Sequence, residues 1–249
     1  MIDRYVAGDT PVHRLAPEVK VAAAVTFVIA VVVTPRHAVW AFAADAAVVA
    51  SVVVVARVPR RALLGGLRIE LPFVAFALLL PFLGGDPRVE VAGVSLSVPG
   101  SWGAFAILAK GTLGVAASVV LAATTTPADL LRGLERLHVP KVLVSIAAFM
   151  VRYLTILTGE AERMRVARQS RGYEPRWLWQ AGAMGASVGT LFVRAYERGE
   201  RVHLAMCSRG YDGSMPELGG RRADGGDWVR ATIAPVAAAV VAAAALVVS

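Results

Sequence analysis

The amino-acid sequence predicts an all-α, polytopic membrane protein with about five transmembrane helices and a cytoplasmic set of amphipathic helices. Three observations predict it. Of the 249 residues, 57% are hydrophobic and 18% are charged, against about 45–50% apolar and about 25% charged in soluble domains. The apolar residues gather in runs whose helical length approaches the roughly 30 Å hydrocarbon core of a bilayer. The formal charge of +8 then falls almost entirely on one side of those runs. This composition excludes disorder, collagen and disulfide scaffolds, and the single cysteine, Cys207, has no internal partner for a bridge.

Taken in order, residues 19–34 form a first span, nearly all Val and Ala apart from Lys20. Residues 38–56 form a second after a turn of Pro35, Arg36 and His37, and a span following so closely argues against a cleaved signal. The third, 71–83, is short and extends back through 63–69 if the helix enters obliquely. Its Pro72 and Pro81 predict a kink whose freed carbonyls are met by neighbouring helices. Residues 102–124 form the fourth, where Gly103, Gly111 and Gly114 with Ala104 and Ala117 permit close helix packing. Residues 228–248 close the series, with Trp228 and Arg230 as interfacial anchors.

Five alternating spans place loops 35–37 and 84–101 outside, and these carry only Arg36 and Arg88. Lys110 falls within the fourth span, and the other 23 basic residues lie on the opposite side or at span ends. The N-terminus is therefore expected in the cytoplasm and the C-terminus outside. The chain divides into spans one to four (1–124), a cytoplasmic region (125–227) and the last span (228–249). Residues 141–159 are apolar, but Arg152 sits at their centre, where insertion costs about 2.5–3.5 kcal/mol. That segment is read as a cytoplasm-side helix lying against the spans through Val144, Ala148, Val151 and Thr155.

The cytoplasmic region reads as a short amphipathic helix over 128–138, framed by Pro127 and Pro140, then longer helices over 142–170 and 177–208. The ends of the long helices repeat at an offset of 38 residues, so that 162–174 lies over 200–212 with seven identities in 13 positions. The identities are a Glu-Arg pair, an Ala and the run Ser-Arg-Gly-Tyr, at Ser170-Arg171-Gly172-Tyr173 and Ser208-Arg209-Gly210-Tyr211. Glycine at that place suits the left-handed residue that stops a helix, and the arginine before it complements the helix dipole. One copy alone could be a plain C-cap with a solvated arginine. Two copies suggest two equivalent acceptors on a symmetric partner.

These motifs resemble those of the T component of energy-coupling factor (ECF) transporters, whose members carry two short Ala-Arg-Gly-like motifs on cytoplasmic helices. The similarity extends along most of the chain: Arg14-Leu15-Ala16-Pro17-Glu18-Val19-Lys20, Glu70-Leu71-Pro72-Phe73, residues 121–127, Leu134 to Pro140, and Phe192 to Arg198 look like the cobalt-type branch, CbiQ. The resemblance implies a non-catalytic scaffold in a prokaryotic cell membrane. It would link two cytoplasmic ABC-type ATPases to a small membrane subunit that binds the substrate, a transition-metal ion, with cobalt first and nickel next. Carried over, the ATPase-binding residues are Ser170, Arg171, Gly172, Ser208, Arg209 and Gly210. Both motifs have Ser where Ala is commoner in the family.

No G-x-x-x-x-G-K-[ST] loop is present, so ATP hydrolysis by this chain is not expected. His13, His37, His138 and His203 lack ligand spacing, and Cys207, four residues from His203, is read as a small buried residue. No catalytic residue, metal ligand or cofactor is assigned, and the cations follow membrane topology rather than a nucleic-acid surface. Lys110 and Asp45 are intramembrane ionisable groups, read as pairing with each other or with backbone carbonyls, or as snorkelling. Two other readings stand beside the ECF one: a stand-alone cation carrier using Lys110 and Asp45, and a membrane scaffold without a transport role.

Overall fold

The computed structural model describes residues 5–91, 94–173, 181–213 and 221–248. The protein is an all-α polytopic membrane protein. It forms two compact units, Met1–Leu137 with Gly220–Ser249, and His138–Gly219.

The first unit opens with a single-turn helix α1 (Pro11–Arg14), whose N-cap Thr10 accepts from the His13 amide. Helices α2 (Pro17–Val33), α3 (Val39–Val55), α6 (Val98–Thr124) and α10 (Gly225–Val248) pack around Phe27, Val31, Phe42, Leu113 and Ala238. Their small Val and Ala side chains let the helices approach closely, as in other membrane bundles. Large apolar residues such as Ile29, Val54, Phe73 and Leu83 stay exposed on the outside, the surface that faces lipid.

Helices α4 (Arg60–Leu67) and α5 (Leu71–Leu83) are joined by a 3-10 turn, Arg68–Glu70. Together they make one 24-residue passage, Arg60–Leu83, which is the backward extension expected of the short third span. Pro72 sits in the first turn of α5, where its missing N–H is no loss. Glu70 in the 3-10 turn is buried and accepts from the Thr112 hydroxyl at 3.1 Å. Of the glycines expected to bring helices together, Gly111 does so against Glu70, whereas a Cβ at Gly114 would meet open space.

Among the described residues, four helices are long and apolar enough to cross a membrane: Arg60–Leu83, Val98–Thr124, Lys141–Ser170 and Gly225–Val247. Helices α2 and α3, of 17 residues each, are about 25 Å long, near the lower limit for a span. The loop 84–101 holds an antiparallel hairpin, β1 (Arg88–Val91) with β2 (Val94–Ser97), which the sequence reading passed over.

Helix α7 (Pro127–Arg136) is capped by the Thr126 hydroxyl, which accepts from the Asp129 amide. It belongs to the first unit, packed on the start of α2, although its sequence groups it with the region 125–227. Gly133 makes this possible, since a Cβ there would lie 2.9 Å from the Pro17 carbonyl carbon and 3.0 Å from the Glu18 nitrogen. Gly133→Ala therefore forces two backbones apart and is expected to cost about 1–3 kcal/mol. Thermal unfolding of the purified chain in detergent checks this. Gly65→Ala, where a Cβ meets nothing, should leave the transition unchanged or raise it slightly.

Candidate functional site: two arginine-tipped helix ends

The second unit contains α8 (Lys141–Ser170) and α9 (Ala181–Cys207). The start of α9 expected at Trp177, and Glu174 at the end of the first repeat, lie outside the described residues. The helices run antiparallel: Glu160 accepts from Arg194 at 2.7 Å, and Arg168 donates to Ser187. Each helix gives a narrow half-covered stripe. On α8 it is Phe149, Tyr153, Leu157, Glu160, Met164 and Arg168; on α9 it is Ser187, Leu191, Ala195, Val202 and Met206. The steps of three, four or seven residues are those of one helix face. The face expected to lie against the spans, Val144, Ala148, Val151 and Thr155, is a different one: Val144 is buried and Ala148 half-buried, whereas Val151 and Thr155 are exposed. Much apolar surface stays open, including Leu143, Met150, Phe192 and Leu204. A groove of about 650 Å³ between the helices is lined by Phe149, Met150, Tyr153, Val202 and Met206.

Both helices end in the same hydrogen-bonded cap. At the first, the Tyr173 amide donates to the Arg168 carbonyl at 3.1 Å and the Gly172 amide to Gln169 at 2.9 Å. At the second, the Tyr211 amide donates to Met206 and the Gly210 amide to Cys207, both at 3.0 Å. These are the paired bonds of the Schellman motif, and every partner is displaced by the 38 residues of the sequence repeat. Gly172 and Gly210 take φ of +73° and +86°, a left-handed backbone that costs an L side chain about 1–2 kcal/mol. Ser170 and Ser208 each donate to the carbonyl three residues back, Ala167 and Ala205, at 3.0 Å. The serine hydroxyls are therefore spent inside the caps.

The arginines are what the caps present. Arg171 and Arg209 are exposed, and neither guanidinium has a hydrogen bond or ion pair among the described residues, while Arg163, Arg165, Arg194 and Arg201 beside them all pair with glutamates. The antiparallel pairing puts the tips at opposite ends of the helix pair. From Ser187, level with Arg168, to Arg209 is 22 residues, or about 33 Å along α9. Gly172→Ala should loosen the first tip and weaken whatever binding Arg171 makes several-fold, leaving the global unfolding midpoint nearly unchanged. Binding titration beside a thermal melt checks it.

Other singled-out residues divide differently. Cys207 is exposed, not buried, because the α8 stripe covers Met206 instead; its Sγ lies 3.7 Å from His203 Nε2. His13 is engaged by the Val6 carbonyl at 3.0 Å and the Thr10 hydroxyl at 2.7 Å. Lys110 donates to the Val32 carbonyl at 2.7 Å. Asp45 is fully buried and neither carboxyl oxygen has a partner, so the two do not pair with each other.

Sequence reasoning missed a charged network at one end of the first unit. Arg136 of α7 meets Glu18 of α2 at 3.3 Å and donates to the Arg221 carbonyl at 2.7 Å. The Ala223 amide donates to Glu18 at 2.8 Å, and Arg221 meets Asp227, at the start of α10, at 3.0 Å. The available signal was an acid at the mouth of an apolar run: Glu18, whose cation Arg136 is 118 positions away, and Asp227, whose cation Arg221 is six away.

An apolar helical bundle joined to a helix pair with duplicated arginine tips fits the class that its relatives name, a membrane component of an energy-coupling factor transporter. More particularly, the chain belongs to the CbiQ family, described as a cobalt transport protein, which matches residues 8–218. It is 27% identical over 228 residues to the energy-coupling factor transporter transmembrane protein EcfT of Listeria innocua, covering 86% of this chain and 85% of that one. It is 32% identical over 166 residues to the cobalt transport protein CbiQ of Rhodobacter capsulatus, covering 64% of this chain and 68% of that one.

Proposed function

We propose that this chain is the energy-coupling subunit of a metal importer. It links ATP hydrolysis by two cytoplasmic ABC-type ATPases to uptake of a transition-metal ion, cobalt first and nickel second, through a separate substrate-binding membrane subunit. The observation that supports this is the repeated tip: two identical caps, each presenting an exposed arginine whose guanidinium has no partner among the described residues, suit two copies of one acceptor. A guanidinium can enter a groove and make paired hydrogen bonds to a carboxylate there. The chain itself is non-catalytic and holds no cofactor; its N-terminus is cytoplasmic and its C-terminus outside. On this reading α8 and α9 face the cytoplasm with the tips, and 141–159 lies against the membrane rather than across it.

Reconstitution tests the reading. Vesicles containing the chain, the ATPase pair and the substrate-binding subunit should accumulate labelled cobalt only with ATP, and vesicles containing the chain alone should accumulate none. Uptake by the chain alone would favour the carrier reading, although Lys110 is already engaged by a carbonyl. Failure of any ATPase to bind would leave the scaffold reading.

A further inference from the structure

Two cavities meet at the end of the first unit where α2 and α10 begin and α6 stops. One, about 160 Å³, is apolar and lies between α2, α3, α6 and α10, lined by residues such as Phe27, Val49, Val120, Ala231 and Pro235. The other, about 200 Å³, is polar and lies beneath the N-terminal segment and α7, where Tyr5, Arg14, Thr125, Arg132, Arg136 and Arg221 line it. Leu15, Lys20 and Thr124 line both, so the two share a wall. The polar cavity is lined by five cationic side chains and one carboxylate, Asp129.

The cations are held in place. Arg14 is paired with Asp9 at 2.6 Å, Arg132 with Asp129 at 2.6 Å, Arg136 with Glu18 and Arg221 with Asp227. Lys20 donates to the carbonyls of His13 and Thr124, at 3.0 and 2.8 Å. Arg14 gives Asp9 its Nε and one Nη hydrogen, two of the five donors of a guanidinium. Thr125 supplies a separate pointer. It is 6% exposed, it lines the polar cavity, and its hydroxyl has no hydrogen-bond partner among the described residues. A buried hydroxyl left so is costly, and an acceptor entering the cavity satisfies it.

We propose that this pair of cavities binds one anionic glycerophospholipid, with its phosphate in the polar cavity against Thr125, Arg14 and Lys20 and part of an acyl chain in the apolar one. Because the cavities adjoin at Leu15, Lys20 and Thr124, a headgroup in the polar one sits beside apolar space for an acyl chain, which a free anion would leave unused. It lies where the apolar segments beginning at Val19 and Trp228 and ending at Thr124 give way to polar sequence, the depth at which headgroups lie. Basic pockets at such depths are suited to acidic headgroups. The exposed Arg230 on the rim of the apolar cavity adds to the attraction. The inference stands on the first unit alone and does not depend on the coupling role.

The test uses the full chain, delipidated in detergent and titrated with short-chain phosphatidylglycerol, phosphatidylcholine of the same tails, or inorganic phosphate, with unfolding followed thermally. At about 100-fold above Kd, phosphatidylglycerol should raise Tm saturably by about 5–10 °C. Phosphatidylcholine and inorganic phosphate should do far less. Thr125→Val removes an unpartnered hydroxyl, so the lipid-free Tm should hold while affinity for phosphatidylglycerol falls about fivefold to tenfold. Arg14→Gln, whose Asp9 partner is exposed, should weaken it similarly. Equal shifts with both lipids, an equal shift with phosphate alone, or undiminished affinity in both variants would each overturn the proposal.

Discussion

If the chain couples two ATPases as proposed, reversing both tip arginines, Arg171→Glu with Arg209→Glu, should abolish co-purification of the ATPase pair with a tagged chain, and each single reversal should lose part of it. That is the largest effect expected on function. A desolvated arginine at an interface is worth about 2 kcal/mol or more on truncation, roughly thirtyfold in affinity. On the proposed reading, reversal also adds repulsion from the carboxylate that would accept the guanidinium. Two anchors on one element also raise each other's effective concentration, so losing both costs more than either single loss suggests. The caps predict that the substitutions are structurally silent, because Arg171 and Arg209 are exposed and the stopping bonds run between backbone groups. An unchanged thermal midpoint beside lost ATPase is the expected pair of results. Full ATPase yield from the double variant would remove the arginines from the mechanism.

The second prediction concerns stability. Arg136→Met should destabilise the chain by about 3 kcal/mol, since breaking a buried ion pair leaves an uncompensated charge. The Glu18 side chain is 7% exposed and that of Arg136 12%, so water does little to replace the lost partner. What remains to Glu18 is the Ala223 amide and its own backbone amide. Glu18→Gln with Arg136→Met should recover much of the loss, because no buried charge is then stranded. Thermal unfolding of the two variants and of the wild type in one detergent measures the difference. If Arg136→Met melts with the wild type, the network is ornamental.

The parts legible in sequence were those governed by local rules. Hydrophobic length placed the apolar helices, including the passage from Arg60 to Leu83 that periodicity left short. The Ser-Arg-Gly-Tyr repeat located both caps, because a left-handed glycine and backbone bonds within six residues need nothing from the rest of the chain. Less legible was what packs on what. The face of α8 that meets α9, Phe149, Tyr153 and Leu157, was not singled out, because a helix apolar on several sides does not announce which side a neighbour takes. For the same reason Cys207 turned out exposed.

The sequence alone therefore decides that the chain is an apolar helical membrane protein and that two helices end in matched arginine tips. Helix formation and capping involve residues within a turn of one another, so composition and spacing suffice. Only the tertiary structure joins Glu18 to Arg136 and Ala223, packs Gly133 against Pro17, and sets a basic cavity beside an apolar one. Those contacts cross as many as 205 positions. They depend on which faces several packed helices turn toward one another, which no local pattern specifies.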